Sequence, residues 1–418
     1  MRFLGEYPLH TLLVLTEKPG EWSPWAVAPV PMVLAASAGW IWARAAGDAA
    51  WGWATAASLL LLAVADGALF ASLPRRELSF GPAQTPFLGL SVARWLLALI
   101  TAAIVAFTAA VPGLVWGTGA AIQVLALALT AHGTLIAPFR LQVTSLEILT
   151  PKLANPAPPL RVVQISDLHV ERLTRRERGL PDLVAGLAPD LIVLTGDFLS
   201  TSYNSDERAL SDLRWLLDRL DAPLGLYAIW GTHHVDLPPV LRPVLAAAGV
   251  TVLEDRAVPL EIQAVPAAAQ AMPLAAGQRL WLLGLNCTRD LAADGARLRA
   301  LLAGVPPGEF RLLLYHTPDL MPQAAEAGVD LYLAGHTHGG QWRVPGLGAI
   351  LTSSRFWKRY EAGHYREAKT DLYVSRGLGM EGFGAPRARF FCPPEVVVAT
   401  LRGTGKRAPG DPGGAQVP

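Results

Sequence analysis

Aspartate and histidine recur directly after apolar runs, in patterns that suit metal-ion chemistry. QISDLH carries Asp167 and His169 two positions apart, and AGHTHGG repeats that spacing with His336 and His338. Continued strand geometry would send both side chains of each pair to one side. Between the pairs lie Asp197 in TGD, His233 and His234 in WGTHH, and His316 in YHTPD. Gly339 and Gly340 would let the backbone turn tightly beneath the second pair. Carboxylates and imidazoles without thiolates suit divalent Zn, Mn or Fe rather than Mg or Ca alone. A lone histidine after a strand is ordinarily a hydrogen-bonded core or surface residue, and Gly-Asp there is ordinarily a turn. Five separate strand ends carrying Asp or His, two of them at ligand spacing, exceed what turn chemistry supplies.

The scaffold that must position them is legible as short β-rich runs alternating with helical patterns. LRVVQIS at 160, DLIVLTG at 190, LGLYAIW at 224, LWLLGL at 280, FRLLLYH at 310, DLYLAG at 330 and DLYVS at 371 are near-continuous apolar strands. Such strands are buried on both faces, as in layered α/β folds. Polar residues at their C-terminal ends stand where open α/β sheets place their sites. EVVVATL at 395 reads as a last strand, and the Gly/Pro-rich segment after it reads as disordered. Four prolines within 151–159 read as a stiff linker.

Ahead of this domain the chain is too apolar for an ordinary soluble protein: of 418 residues, 52% are hydrophobic and 17% charged. Four apolar stretches, near 25–46, 51–73, 88–111 and 113–138, each supply the ~20 residues that cross a bilayer as helix. The first begins too far in, and is followed by too many others, for a cleaved signal peptide, so retention in the membrane is expected. Arg2, Lys18, Arg75, Arg76, Arg140 and Lys152 fall on one side of these spans and Arg44 on the other, so the N-terminus and the C-terminal domain are expected in the cytoplasm. Arg94 near the start of the third span is expected to snorkel toward that face. Asp66 and His132 fall inside spans, where ionisable groups are functional candidates by default, while Asp66 could equally pair between helices or face a small wet cavity. A net charge of +1 argues against nucleic-acid binding. Cys287 and Cys392 form no CxxC pair and are expected to be reduced thiols. No internal repeat is present.

Together the motifs DLH at 167, GD at 196, GTHH at 231, His316 and GHTH at 335 resemble, in order, the D-x-H, G-D, G-N-H-D/E, H and G-H-x-H pattern of the calcineurin-like metallophosphoesterases. SRGLG at 375 and RFFCPPE at 389 look like the membrane-associated bacterial branch, which includes UDP-2,3-diacylglucosamine hydrolases. The resemblance implies a four-layer αββα sandwich behind an all-α transmembrane bundle. It implies one metal held by Asp167, His169, Asp197 and His338, and a second by Asp197, His316 and His336, with Asp197 bridging. Two close ions activate water and clamp phosphoryl oxygens. His233 would serve the leaving-group side as a charge-stabilising donor or general acid. The pattern's Asn is Thr232 here, and the acidic residue after its His is His234. A hydroxyl is a poorer donor than an amide carbonyl, so the second site is expected to be weakened or reshaped, with activity retained.

GLGMEG at 377 fits GxGxxG, but no acidic residue follows in a βαβ unit, so a glycine-rich turn beside the site is the better reading. Arg343, Arg355, Arg359 and Arg376 follow the last metal motif and could grip a phosphate or diphosphate, Arg376 being read as a substrate contact. A solvated basic face, or contact with anionic lipid headgroups, is the alternative for the same four. The sequence thus divides into a transmembrane anchor of about four helices (1–140), a linker (141–159), a metallophosphoesterase domain (160–402) and a disordered tail (403–418). The function expected is a multi-pass membrane hydrolase of phosphodiester or pyrophosphate bonds, using two divalent metals, in contact with membrane lipids and acting on a phosphorylated, lipid-linked substrate. A catalytically silent metal- or nucleotide-binding sensor is the alternative.

Overall fold

The structure of the chain is a computed structural model, and it describes residues 18–76, 78, 81–108, 110–154, 159–261, 279–382 and 386–405. Two compact units emerge: Met1–Pro138 with Glu381–Phe390, and Phe139–Met380 with Phe391–Pro418.

The first unit contains helices α1 (Pro29–Ala46), α2 (Ala49–Ser72), α3 (Gln84–Phe107) and α4 (Pro112–Leu135). All four are long and apolar enough to cross a membrane. They show no sharp amphipathic division, as expected where lipid and helix neighbours are equally apolar. Packing instead exploits small residues: an added Cβ on Gly39 would sit 2.7 Å from the Gly52 carbonyl oxygen. Asp66 pairs with Arg94 at 2.7 Å, and Arg94 Nη1 also donates to the Gln123 carbonyl at 3.0 Å, tying α2, α3 and α4 together. Arg94 is therefore buried rather than snorkelling, because a carboxylate at its own depth satisfies it. Glu381–Phe390 belongs to this unit and not to the phosphoesterase domain: the Arg389 amide donates to the Gly133 carbonyl at 3.0 Å.

The second unit holds two six-stranded sheets. One has the order β1 (Gln142–Ala154), β14 (Glu395–Gly405), β2 (Leu160–Ile165), β3 (Leu191–Leu194), β4 (Leu226–Ala228) and β5 (Val250–Val252). The other runs β12 (Gly363–Glu367), β13 (Thr370–Val374), β9 (Leu331–Ala334), β8 (Phe310–Leu314), β7 (Arg279–Gly284) and β6 (Arg256–Glu261). Between β9 and β12 lies a small hairpin, β10 (Arg343–Val344) with β11 (Gly348–Ala349). The sheets face each other across Val162, Leu191, Val193, Leu282, Leu312 and Leu333. Helices α5 (Arg175–Gly186), α6 (Glu207–Leu217) and α7 (Pro238–Ala247) cover the outer face of the first sheet through Leu180, Leu213 and Leu241. Helices α8 (Leu291–Ala303) and α9 (Met321–Glu326) cover the second through Leu298 and Met321. This is the αββα sandwich, and each fully buried aliphatic side chain contributes roughly 1.5–3 kcal/mol to it.

Two boundaries shift. Gln142–Ala154, expected as linker, is strand β1, paired in parallel with β14 from Gln142↔Glu395 onward. Leu146, Ile148 and Thr150 alternate inward, a period-two pattern that the prolines at and after its end obscured. Strand β14 continues to Gly405, past the expected domain end, and the remainder of the tail lies outside the described residues.

Candidate metal centre

Strands β2, β3 and β4 of one sheet and β8 and β9 of the other are parallel within their sheets, so their C-terminal ends gather at one edge of the sandwich. Asp167 and His169 follow β2, Asp197 follows β3, Thr232 and His233 follow β4, His316 follows β8, and His336 and His338 follow β9. Hydrogen bonds sew the two sheets together beneath them. Gln164 Nε2 donates to the Ala334 carbonyl at 2.9 Å, the His336 amide donates to Asp167 Oδ1 at 2.9 Å, and His316 Nδ1 lies 2.8 Å from the Thr195 carbonyl.

All six expected ligands come together in two groups, Asp167–His169–His338 and Asp197–His316–His336, with donor atoms within 4.8 Å of one another in each. His169 Nε2 stands 3.1 Å from His338 Nε2, and Asp197 Oδ2 lies 3.2 Å from His316 Nε2 and 3.7 Å from His169 Nε2. Ligands bonded at about 2.0–2.2 Å to one ion are spaced by about 3–4 Å, so these donors fit two divalent ions with Asp197 between them. Every donor except the partly covered His336 is buried, which keeps competing water away.

Strand alternation does not bring the paired ligands together. Asp167 (φ 49°), His169 (φ 42°), Asp197 (φ 57°), His336 (φ 70°) and His338 (φ 51°) all adopt left-handed backbone. Non-glycine residues visit that region at a cost, and such strain concentrates at functional sites. Ladder-like bonds hold the turns: the Asp167 amide donates to the Gly196 carbonyl at 3.0 Å and the His169 amide to the Asp197 carbonyl at 3.0 Å. The glycine-rich turn at 377 does abut the site, since an added Cβ on Gly379 would stand 2.5 Å from His169 Cβ.

Thr232 points its hydroxyl into the second group, 3.3 Å from Asp197 Oδ2, 3.2 Å from His316 Nε2 and 3.4 Å from His336 Nδ1. Its amide donates to Asp197 Oδ1 at 2.6 Å. A residue that sequence reasoning missed lies just beyond: buried Asp236 accepts from the amides of Asp197 (2.9 Å), Phe198 (2.9 Å) and Gly231 (2.7 Å). It fixes the turns carrying Asp197 and Thr232. Arg376 does not join the donor groups. Its guanidinium bonds Glu395 at 2.6 Å and Gln142 at 3.2 Å, because the buried Glu395 carboxylate demands a countercharge.

Electrostatics follow from this crowding. Burial pushes the His316 imidazole down, but Asp197 and Asp167 beside it more than offset that and lift it to about 10. Burial raises Asp197, yet His316 and His169 hold it well below the carboxylate range. Burial and then the Asp197 charge push Asp236 up to about 7, against the pull of its three amide bonds. Exposed His233 is lowered by partial desolvation and then by Arg289, which stands on the β7–α8 loop with φ 66°.

Comparison with known proteins gives the same picture. A family profile, "Calcineurin-like phosphoesterase", matches residues 160–340. The uncharacterised metallophosphoesterase YkuE of Bacillus subtilis is 30% identical over 289 residues, 66% of this chain and 93% of that one. The phosphodiesterase YaeI of Escherichia coli is 29% identical over 252 residues, 59% of this chain and 83% of its own. The UDP-2,3-diacylglucosamine pyrophosphatase LpxG of Chlamydia muridarum is 26% identical over 302 residues, 62% of this chain and 89% of its own.

Proposed function

Since the chain belongs to the calcineurin-like phosphoesterases, a family of metal-dependent hydrolases, we propose that it cleaves a phosphodiester or pyrophosphate bond in a lipid-linked, nucleotide-sugar-type substrate at a membrane. The observation that carries the reading is Asp197, whose carboxylate belongs to one donor group, 3.2 Å from His316, and stands 3.7 Å from His169 of the other. Asp167, His169, Asp197 and His338 would hold one divalent ion, and Asp197, His316 and His336 the second. Bound there, the ions supply Lewis acidity, acidifying water and neutralising phosphoryl charge.

The remaining groups position and donate. The Thr232 hydroxyl, facing Asp197, His316 and His336, completes the second group in place of the customary amide. His233 is exposed at the mouth and offers its ring N–H to the leaving oxygen. The lipid-linked substrate is supported by LpxG, whose name states UDP-2,3-diacylglucosamine pyrophosphatase, and by four helices of spanning length. The positive-inside bias of Lys18, Arg75, Arg76, Arg140 and Lys152 supports a cytoplasmic catalytic domain.

Full-length protein assayed with bis(p-nitrophenyl) phosphate and Mn²⁺ is expected to turn over, and His316→Ala to abolish turnover. Metal-independent activity equal in His316→Ala and wild type would instead favour the silent-sensor alternative. Protease should cut the catalytic domain in right-side-out vesicles only after they are opened; cleavage from outside would reverse the orientation.

A further inference from the structure

The hairpin beside the metal centre is apolar where solvent should make it polar. Among the described residues of the second unit, eight large apolar side chains are exposed, and five of them, Val344, Leu347, Ile350, Leu351 and Trp357, fall within one short segment. The other three are Val143, Leu149 and Phe391. Leu347, at the hairpin turn, is 71% exposed. Apolar exposure clustered in one short segment of chain marks a candidate interaction surface.

The patch is firmly attached to the ligand loop. The Ile350 amide donates to the Trp342 carbonyl at 2.9 Å, and Ser353 Oγ donates to the carbonyl of His336 itself at 3.0 Å. Lys358 Nζ reaches over the turn to the Leu347 carbonyl at 2.8 Å, placing an ammonium group at the apolar tip. Residues 341–360 contain Arg343, Arg355, Lys358 and Arg359 and no Asp or Glu. Arg343 is consumed by Glu361 at 2.6 Å, whereas Arg355 and Lys358 are exposed.

We propose that this hairpin and the segment through Lys358 form a bilayer-docking rim: Leu347, Ile350, Leu351 and Trp357 enter the interfacial layer of an anionic membrane while Arg355 and Lys358 engage its headgroups. Apolar and tryptophan side chains beside exposed cations match the chemistry of an anionic bilayer surface, and the nearby carboxylates are already engaged, Glu361 by Arg343 and the Ala349 amide and Asp319 by Ser354 and the Arg355 amide. A chain bearing four helices of spanning length is held next to such a surface at high effective concentration. The proposal rests on the membrane-hydrolase reading and deepens it, since a rim bonded to His336 would bring a phosphate in the headgroup plane to the ligand residues.

Two independent readouts test it in the full chain reconstituted into vesicles. First, Leu347→Cys in a Cys287→Ser background is labelled with an NBD fluorophore, the background alone reporting any labelling of buried Cys392. In phosphatidylcholine–phosphatidylglycerol vesicles its emission is expected to be blue-shifted and quenched by acyl-chain nitroxide lipids, more than in phosphatidylcholine alone. Water-like emission in both would overturn the proposal. A blue shift without nitroxide quenching would also overturn it, and would assign the patch to a second protein copy. Second, Leu347→Asp/Trp357→Asp should lose about tenfold or more turnover of a diacylglycerol p-nitrophenyl phosphodiester in vesicles while keeping wild-type turnover of soluble bis(p-nitrophenyl) phosphate. Equal loss on both substrates would mean a structural role and would overturn it. A wild-type chain inert on both would refute the hydrolase reading, leaving the fluorescence result to decide the surface.

Discussion

Removing the Asp236 carboxylate should damage fold and metal site together, in a graded way. In Asp236→Ala the amides of Asp197, Phe198 and Gly231 lose an acceptor that now stands at 2.7–2.9 Å. Each buried N–H left unsatisfied costs about 1–3 kcal/mol, so the loss is roughly 3–9 kcal/mol. That is comparable with the whole stability of a typical domain, about 5–15 kcal/mol. Asp236→Asn is milder by construction. Its amide oxygen can occupy the Oδ2 position that serves Asp197 and Gly231, and only the Phe198 amide then faces a second donor. One lost bond costs about 1–3 kcal/mol, a third of the alanine effect. Because these amides set the turns that aim Asp197 and Thr232, Mn²⁺ affinity should also fall about 10–100-fold in Asp236→Asn, as for other groups that orient metal ligands. Scanning calorimetry, with the transition of the second unit resolved from that of the helices, reads the first effect, and isothermal titration with Mn²⁺ reads the second. Two variants equal in stability, or Asp236→Asn with wild-type metal affinity, would refute the argument.

The other predictions address separate parts of the chain. Thr232→Asn should tighten the second ion, because an amide carbonyl donates better than a hydroxyl; metal titration with unchanged stoichiometry and affinity would count against it. His233→Asn should lower kcat about 10²–10⁴-fold while Mn²⁺ binding is unchanged, so weaker metal binding would contradict its leaving-group role. Gly379→Ala drives a methyl group to 2.5 Å from His169 Cβ and should weaken metal binding without unfolding the sandwich, as titration alongside circular dichroism would reveal. In the helices, Asp66→Ala strands Arg94 and should cost about 3–5 kcal/mol, more than Asp66→Asn/Arg94→Gln; thermal unfolding in detergent showing the reverse order would dismiss the ion pair as a stabilising lock.

What the sequence revealed and what it hid divide along physical lines. The candidate ligands were legible because metal chemistry admits few residue types, and Asp167, His169, Asp197, His316, His336 and His338 carry those types at the ends of strands that announce themselves by apolarity. How they converge was not legible. Spacing by two suggested an uninterrupted strand, yet both Asp167 and His169 have left-handed backbone, a conformation with no signature in an Asp or a His. Supporting residues are harder still to see. Asp236 acts through a carboxylate that accepts backbone amides, a task no local pattern marks. Arg376 looked like a phosphate grip because its partner, Glu395, is nineteen positions away and buried. Arg94 looked like a snorkelling cation for the same reason, its carboxylate lying on another helix. In each case the residue type announces a cation, and only the fold shows which carboxylate it pairs with. A buried charge has to be satisfied within the protein first, so the cations most available to a phosphate or a lipid headgroup are the exposed ones outside a direct ion pair. In the segment after His338, Arg343, Arg359 and Arg376 are tied to Glu361, Glu367 and Glu395, whereas Arg355, near the Asp319 charge, and Lys358 are the exposed cations beside the apolar hairpin.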